Sequence, residues 1–238
     1  MRYANDVTFE VRGDYALFSD PITRVGGEKI SYQIPTYEAV KGILESVYWK
    51  PTIIWIIDAV RVLNQIKTEA KAIRTLSYTK NTPDLSYYTY LKDVAYQVKA
   101  HFEWNMNRPE LEDDRNEDKH FQMAQRMIRK GGRRDVFLGT RECQAYVSPA
   151  LFGSDEGYYD HSGTLSFGLM YHGIIYPDES SEKKDMTINF WNPNMVDGVI
   201  KYTKPEDCIF KKTVKRENFK RFDNGTNFSF LNESGEVI

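Results

Sequence analysis

The chain has 238 residues, 41% of them hydrophobic and 28% charged, the balance of one large soluble domain or of a medium domain carrying a small appendage. No apolar run approaches the roughly 20 residues that span a bilayer, and the N-terminal MRYANDVTFEV has a charge but no apolar stretch after it, so neither a membrane span nor a signal peptide is expected. Two cysteines, Cys143 and Cys208, build no disulfide framework and have no metal-ligand spacing, and a net charge of −2 excludes a uniformly basic nucleic-acid binder; a reducing, cytoplasmic setting is expected.

Residues 6–12, DVTFEVR, alternate between apolar and polar and predict a first strand. A loop through Asp20-Pro21 and Gly26-Gly27 follows and carries Arg24. Pro35 and Thr36 open a helix with Thr36 as its N-cap, and Val40, Ile43, Leu44 and Val47 lie on one helical face. Pro51 ends that helix, because the residue before a proline avoids the helical region; Tyr48 therefore sits at its C-terminal end. The β-branched run TIIWIIDAVRVL (52–63) predicts a buried central strand, and 71–78 another strand. In LKDVAYQVKAHFEW (91–104), Val94, Tyr96, Val98, Ala100, Phe102 and Trp104 fall on every second position, the pattern of a half-buried strand. An acidic loop (108–118) leads into a helix over about 117–130, with Phe121, Ala124, Met127 and Ile128 on its buried face and Gly131-Gly132 at its end. DVFLGTRECQAYV (135–147) predicts the next strand. Beyond Pro149, short apolar alternations (TLSFGLMYHGIIY, MTINFW, CIFKKTVK) predict a small β-rich region.

Strand, helix, strand, extended hairpin region, helix, strand is the order of a ferredoxin-like (RRM-like, βαββαβ) domain, which RNA-binding proteins reuse often. The expected architecture is α+β, with that domain over 1–149 and a small β-rich domain over 150–238. Charge is uneven along it. Residues 115–134 hold seven Lys/Arg against Glu117 and Asp118, and residues 201–221 hold eight against three acids. Such tracts suit a phosphate-binding face or a solvated one. The candidate phosphate contacts are Arg24, Arg126, Arg129, Lys130, Arg133 and Arg134.

No P-loop, GxGxxG, HExxH or GxSxG pattern occurs, and His101, His161 and His172 are not spaced as metal ligands. No cofactor or metal is expected. Lys119-His120 falls in the first turn of the second helix, where free amides and the helix dipole favour a phosphate. A histidine there can exchange protons with a ribose hydroxyl or a leaving oxygen, although local sequence alone fits an ordinary exposed histidine better. Tyr48 reads equally as an amphipathic residue closing the core. The acids Glu110, Glu112, Asp113 and Asp114 read as solvated loop residues; Asp58 or the acids of 110–118 are the alternative, metal-dependent centre.

The segment IPTYEAVKGILESVYWKPTIIWIIDAVRVL (34–63) resembles the N-terminal helix and strand of the CRISPR-associated RAMP family five, Dvulg subtype (type I-C). It shares Pro35-Thr36, the mid-helix Gly42, the aromatic pair Tyr48-Trp49 and Lys50-Pro51. YLKDVAYQVKAHF (90–102), KHFQMAQRMIRKGG (119–132) and LGTRECQAYVSP (138–149) extend the likeness in order over most of residues 1–150, and GTLSFGLMYHGIIYP adds to it further on. The resemblance implies a ferredoxin-like domain with a small β domain, acting on the repeat hairpin of precursor CRISPR RNA in antiviral defence. It implies a catalytic set of Tyr48, Lys119 and His120 and a metal-free attack of the ribose 2′-hydroxyl on the scissile phosphate. It also implies a protein, monomeric when free, that keeps its product and joins the backbone and large subunits of an interference complex. A guide-binding subunit without catalysis, and an RNA-binding module outside any CRISPR assembly, are the rival readings.

Overall fold

Val7, Phe9 and Val11 form the buried face of the first strand, β1 (Val7–Ala16), in a computed structural model that describes residues 5–21, 23–77, 82–176 and 185–216. A short helical turn carrying Arg24 (Thr23–Gly26) and a two-residue strand, β2 (Lys29–Ile30), lead to helix α1 (Tyr37–Val47). The Thr36 hydroxyl accepts the Ala39 amide at 3.2 Å, the capping bond expected of it, and Val40, Ile43, Leu44 and Val47 are buried. Strands β3 (Ile53–Val62), β4 (Lys67–Ser77) and β5 (Thr82–Trp104) follow. Helix α2 (Glu117–Lys130) is capped by the Asn116 side chain and ends at Gly131 in the left-handed region, φ 85°. Then come β6 (Val136–Phe137), β7 (Gln144–Pro149), β8 (Thr164–Ser166), β9 (Met170–Ile175), β10 (Asp185–Trp191), β11 (Asn194–Val196), β12 (Val199–Lys201) and β13 (Phe210–Arg216).

The centre of the main sheet runs β7-β1-β5-β3, every neighbouring pair antiparallel. Helix α1 packs over β3 and α2 over β1 and β7, and both feed one apolar core with Phe9, Trp55, Val98, Ala100 and Phe102. The sheet continues past position 150, because β12 pairs with β3 and carries β11 and β8 beyond it. Strands β13, β10 and β9 form a separate three-stranded sheet among the described residues.

Three local expectations change. Over 94–102 the expected half-buried strand is covered on both faces: Gln97 on the second face accepts the Gly153 amide at 2.8 Å and donates to Asp155 at 3.0 Å, so the segment after β7 covers it. The strand expected over 71–78 starts at Lys67 and pairs along the outer half of a β5 that begins at Thr82, forming an arm with Leu76, Leu85 and Tyr87 exposed. The single strand expected over 135–147 is broken into β6 and β7 by a turn in which Cys143 N–H returns to Thr140 O and Gly139 takes φ 93°. Tyr78, Pro177 and residues 217–221 of the second basic tract lie outside the described residues.

The glycines after α2 position the site. Arg133 and Arg134 donate their amides to the carbonyls of Val47 and Ser46, both at 3.1 Å, which ties this turn to the last turn of α1. Gly132 has φ 114°, and a Cβ there would sit 3.0 Å from Arg134 O. Gly132→Ala is therefore expected to cost about 1–3 kcal/mol in chemical denaturation through backbone strain. Gly42→Ala, in mid-helix with nothing within 4 Å of the added Cβ, is expected to stabilise by about 0.5–1 kcal/mol. Equal effects from the two would contradict this account of the turn.

Candidate functional site

Tyr48 leaves the end of α1 in an extended conformation, and its ring turns back under the sheet toward the first turn of α2. His120, Ala124 and Ile128 are the buried residues of α2, spaced four apart, so His120 begins the helix's inward stripe. The expectation of an exposed histidine is thus overturned: His120 has 0% exposure. The Tyr48 hydroxyl lies 2.8 Å from His120 Nδ1, and Phe102 and Trp104 meet the imidazole edge-on. The other ring nitrogen, Nε2, lies 2.8 Å from the backbone carbonyl of Asp114. A carbonyl only accepts, so Nε2 carries the proton there, and in the neutral ring Nδ1 accepts from Tyr48.

Asp114 holds the rest of the site. It ends the helical turn Pro109–Asp114, its carboxylate pairs with Lys119 Nζ, and it accepts the Thr52 hydroxyl at 2.6 Å. Those two hydrogen bonds, from Lys119 and then Thr52, hold its carboxyl down to about 2. Burial, reinforced by the Asp114 charge and opposed by Arg133, pushes the Tyr48 phenol up to about 12. At neutral pH Tyr48 is a protonated hydrogen-bonding group, not a base. The sequence pattern places Asp114 in a solvated acidic loop and singles out neither Thr52, nor Trp104 as a wall of the site, nor Asp114's hold on it. Thr52 beside Pro51, at the other end of the Tyr48 turn, is the one local signal of this arrangement.

The structure brings Tyr48, Lys119 and His120 together from positions up to 72 apart in sequence. The six basic residues do not line a common hollow. Arg129 borders a cleft of about 1040 Å³ shared by α2, β1 and the segment after β7. Arg133 and Arg134 border a hollow of about 330 Å³ beside Glu45, Ser46 and Trp49 at the end of α1. Arg24 lies in a third hollow with Lys29, Thr36 and Glu38. Arg126 and Lys130 are exposed on α2. His172 is structural: its Nε2 donates to Thr203 O at 2.9 Å, its ring stacks on Tyr37, and burial drives it down to about 4. His101, which sequence spacing left alone, meets Asp6 and Asp58 across the sheet.

The family described as CRISPR-associated protein (Cas_Cas5) matches residues 6–203 through its Cas5d model. The chain belongs to the CRISPR-associated Cas5 family. A relative from Mannheimia succiniciproducens, named CRISPR pre-crRNA endoribonuclease Cas5d, is 32% identical over 61% of this chain and 72% of its own length. A second of the same name, from Thermus thermophilus, is 32% identical over 71% of this chain and 73% of its own. A solved structure titled as a CRISPR-associated protein superposes with a TM-score of 0.75 at 36% identity, covering 87% of this chain and 96% of that one. The type I-C resemblance read from residues 34–149 and this Cas5 membership agree.

The Asp114 grip on this Cas5 fold is testable by pH. A carboxyl held below its ordinary 3.8 stabilises the folded chain above that value and loses the contribution as pH falls toward about 2. Thermal melts should show Asp114→Asn less stable than wild type at pH 7, with the gap closing between pH 4 and 2. A gap that is constant with pH would mean that the carboxylate's charge contributes nothing.

Proposed function

We propose that this chain is a metal-independent endoribonuclease that cleaves precursor CRISPR RNA at the repeat hairpin. It then stays on the guide as a subunit of a type I-C interference complex. The observation that carries this reading is the 2.8 Å contact between Tyr48 and His120, with Lys119 beside it, since the resemblance names those three residues. Two relatives carrying the name of pre-crRNA endoribonuclease support the substrate class. The β7-β1-β5-β3 order, with both helices on one core, supports a ferredoxin-like domain over 1–149, with 150–238 as its β-rich companion.

In the reaction, the ribose 2′-oxygen bonds to the scissile phosphorus and gives up its proton. The bond to the 5′-oxygen breaks, and that oxygen takes a proton. A 2′,3′-cyclic phosphate and a 5′-hydroxyl result. Lys119 stabilises the charge of the phosphorane once a phosphate oxygen replaces the Asp114 carboxylate. Withdrawal of the Asp114 carbonyl frees His120 Nε2, which takes the 2′-hydroxyl proton as the Nδ1–H tautomer or, as imidazolium, gives the 5′-oxygen its proton, while solvent water serves the other transfer. Tyr48 orients the ring throughout, because a hydroxyl accepts as well as donates and so serves either tautomer. Arg126, Arg129, Lys130, Arg133 and Arg134 track the RNA backbone near the site, and Arg24 makes a separate contact. The partners are the repeat hairpin and the backbone and large subunits of the complex, in the cytoplasm.

The enclosure of His120, with both ring nitrogens bonded within the protein, favours a second reading: a guide-binding subunit that does not cut. Cleavage of a labelled repeat hairpin in excess EDTA separates the two. Under the first reading wild type cuts, and His120→Ala slows cleavage by about 10²-fold or more. If both proteins bind the hairpin and neither cuts, the second reading stands; cutting that stops in EDTA replaces both with metal-dependent chemistry.

The basic residues give a separate expectation. Changing Arg126, Arg129, Lys130, Arg133 and Arg134 to glutamine should flatten the dependence of log affinity on log salt by about 0.7–0.9 for each phosphate that is no longer neutralised. An unchanged slope removes α2 and its exit turn from the RNA path.

A further inference from the structure

Phe102 faces His120 and the helices, so His101, its neighbour on β5, faces the opposite side of the sheet. Two other strands bring carboxylates to it there. Val7 pairs with Ala100, which sets Asp6, one residue before β1, beside His101. The β3–β5 register shifts between Ile57 and Ala59, and the residue left over in that bulge is Asp58. Bulges re-aim side chains in this way. One ligand atom from each of Asp6, Asp58 and His101 lies within 4.8 Å of the others.

Among the described residues, one carboxylate oxygen of the cluster lacks a partner. Asp6 Oδ1 is out of contact with solvent and accepts no hydrogen bond among the described residues. Lys99 reaches only the other oxygen, Oδ2, at 3.7 Å. An enclosed carboxylate oxygen without a partner is costly, and the cost falls when a cation sits against it. His101 Nδ1 lies 3.0 Å from both oxygens of Asp58, its Nε2 faces Glu103 at 3.6 Å, and Lys204 bonds Glu103 at 2.7 Å. The imidazole is thus held among carboxylates on the side where Asp6 remains unsatisfied.

We propose that Asp6, Asp58 and His101 bind one first-row divalent cation of the manganese or zinc kind, on the sheet face opposite the Tyr48–His120 pair. Two carboxylates and an imidazole fit that class. Magnesium and calcium prefer all-oxygen shells, and copper(I) prefers thiolates, of which the cluster has none. Small side-chain adjustments bring the three groups to the about 2.0–2.2 Å that such ions require. The ion would clamp the start of β1 to β3 across β5, so it stabilises the central strands. The site shares no residue with Tyr48, Lys119 and His120.

The test uses the full chain, stripped with chelator and dialysed, with Mn²⁺ as the probe. Titration followed by electron paramagnetic resonance should show one saturable Mn²⁺, displaced by Zn²⁺ and not by equimolar Mg²⁺, with nitrogen coupling from the imidazole. Asp6→Asn, Asp58→Asn and His101→Gln should each weaken binding at least tenfold, whereas His161→Gln, at an exposed turn, should not. Mn²⁺ should raise the melting temperature of the wild type and leave that of Asp58→Asn unmoved. If His101→Gln fails to fold, Asp6→Asn, at the margin of the sheet, decides with the nitrogen coupling. Absence of saturable binding at millimolar Mn²⁺, bound Mn²⁺ without nitrogen coupling, or affinity unchanged in Asp6→Asn overturns the proposal.

Discussion

The hydrogen bond between Tyr48 and His120 is the constraint on which the arrangement of the helices turns. It joins the end of α1 to the start of α2 inside a pocket walled by Phe102 and Trp104, where neither polar group has access to water. A buried hydroxyl or imidazole left alone is costly. Each group therefore fixes the other, and both helices must lie on one face of β1, β3 and β5 for the bond to form. The turn after α2 holds the same end of α1 a second time, through the carbonyls of Val47 and Ser46. Tyr48 is clamped further by Trp55, whose indole N–H donates to its backbone carbonyl at 2.7 Å. Position 48 is thus held by backbone, side chain and sheet together.

Asp114 supplies the electrostatic half of this arrangement. Its carboxylate occupies the space in front of Lys119, its carbonyl closes His120 Nε2, and its bond to Thr52 anchors it at the start of β3. One residue therefore satisfies the cation and the imidazole that would otherwise be left open. The arrangement resembles that of an anion already seated: a negative group on the lysine and an acceptor on the histidine. A phosphate oxygen has the same charge and acceptor character, so exchanging Asp114 for it leaves the site's hydrogen bonds equal in number.

Periodicity made much of the fold legible. Val40, Ile43, Leu44 and Val47 marked the inner face of α1, Thr36 its cap, and Gly131 the end of α2, because each depends on neighbours within one or two turns. What escaped depends on partners distant in the chain. The second face of β5 is covered by residues 153–155, and nothing in the alternation of 91–104 announces that cover. The enclosure of His120 is similar. Its spacing to Ala124 and Ile128 places it on the inward stripe, but the polar character of Lys119-His120 outweighs that spacing when the sequence is read alone. The Asp6–Asp58–His101 group is beyond sequence reading because a β-bulge, which has no spacing signature, turns Asp58 toward the histidine.

The two faces of β5 thereby divide the chemistry. Phe102 and Ala100 look into the core beneath the Tyr48–His120 pair, while His101 and Lys99 look toward the carboxylates on the other side. Strand alternation forces that separation, so a change at one face reaches the other through the backbones of β1, β3 and β5. A histidine sealed at 0% exposure also sets a condition on any reaction at the inner face. The Asp114 segment must withdraw first, and each 1.4 kcal/mol of that opening lowers the competent population about tenfold. An enzyme that turns over many substrates bears such a factor on every cycle. One that cuts once and keeps its product bears it once, and RNA contacts that hold the segment open remain afterwards to offset it. Enclosure of the histidine is therefore less costly for a processing subunit that retains its guide than for a freely recycling nuclease.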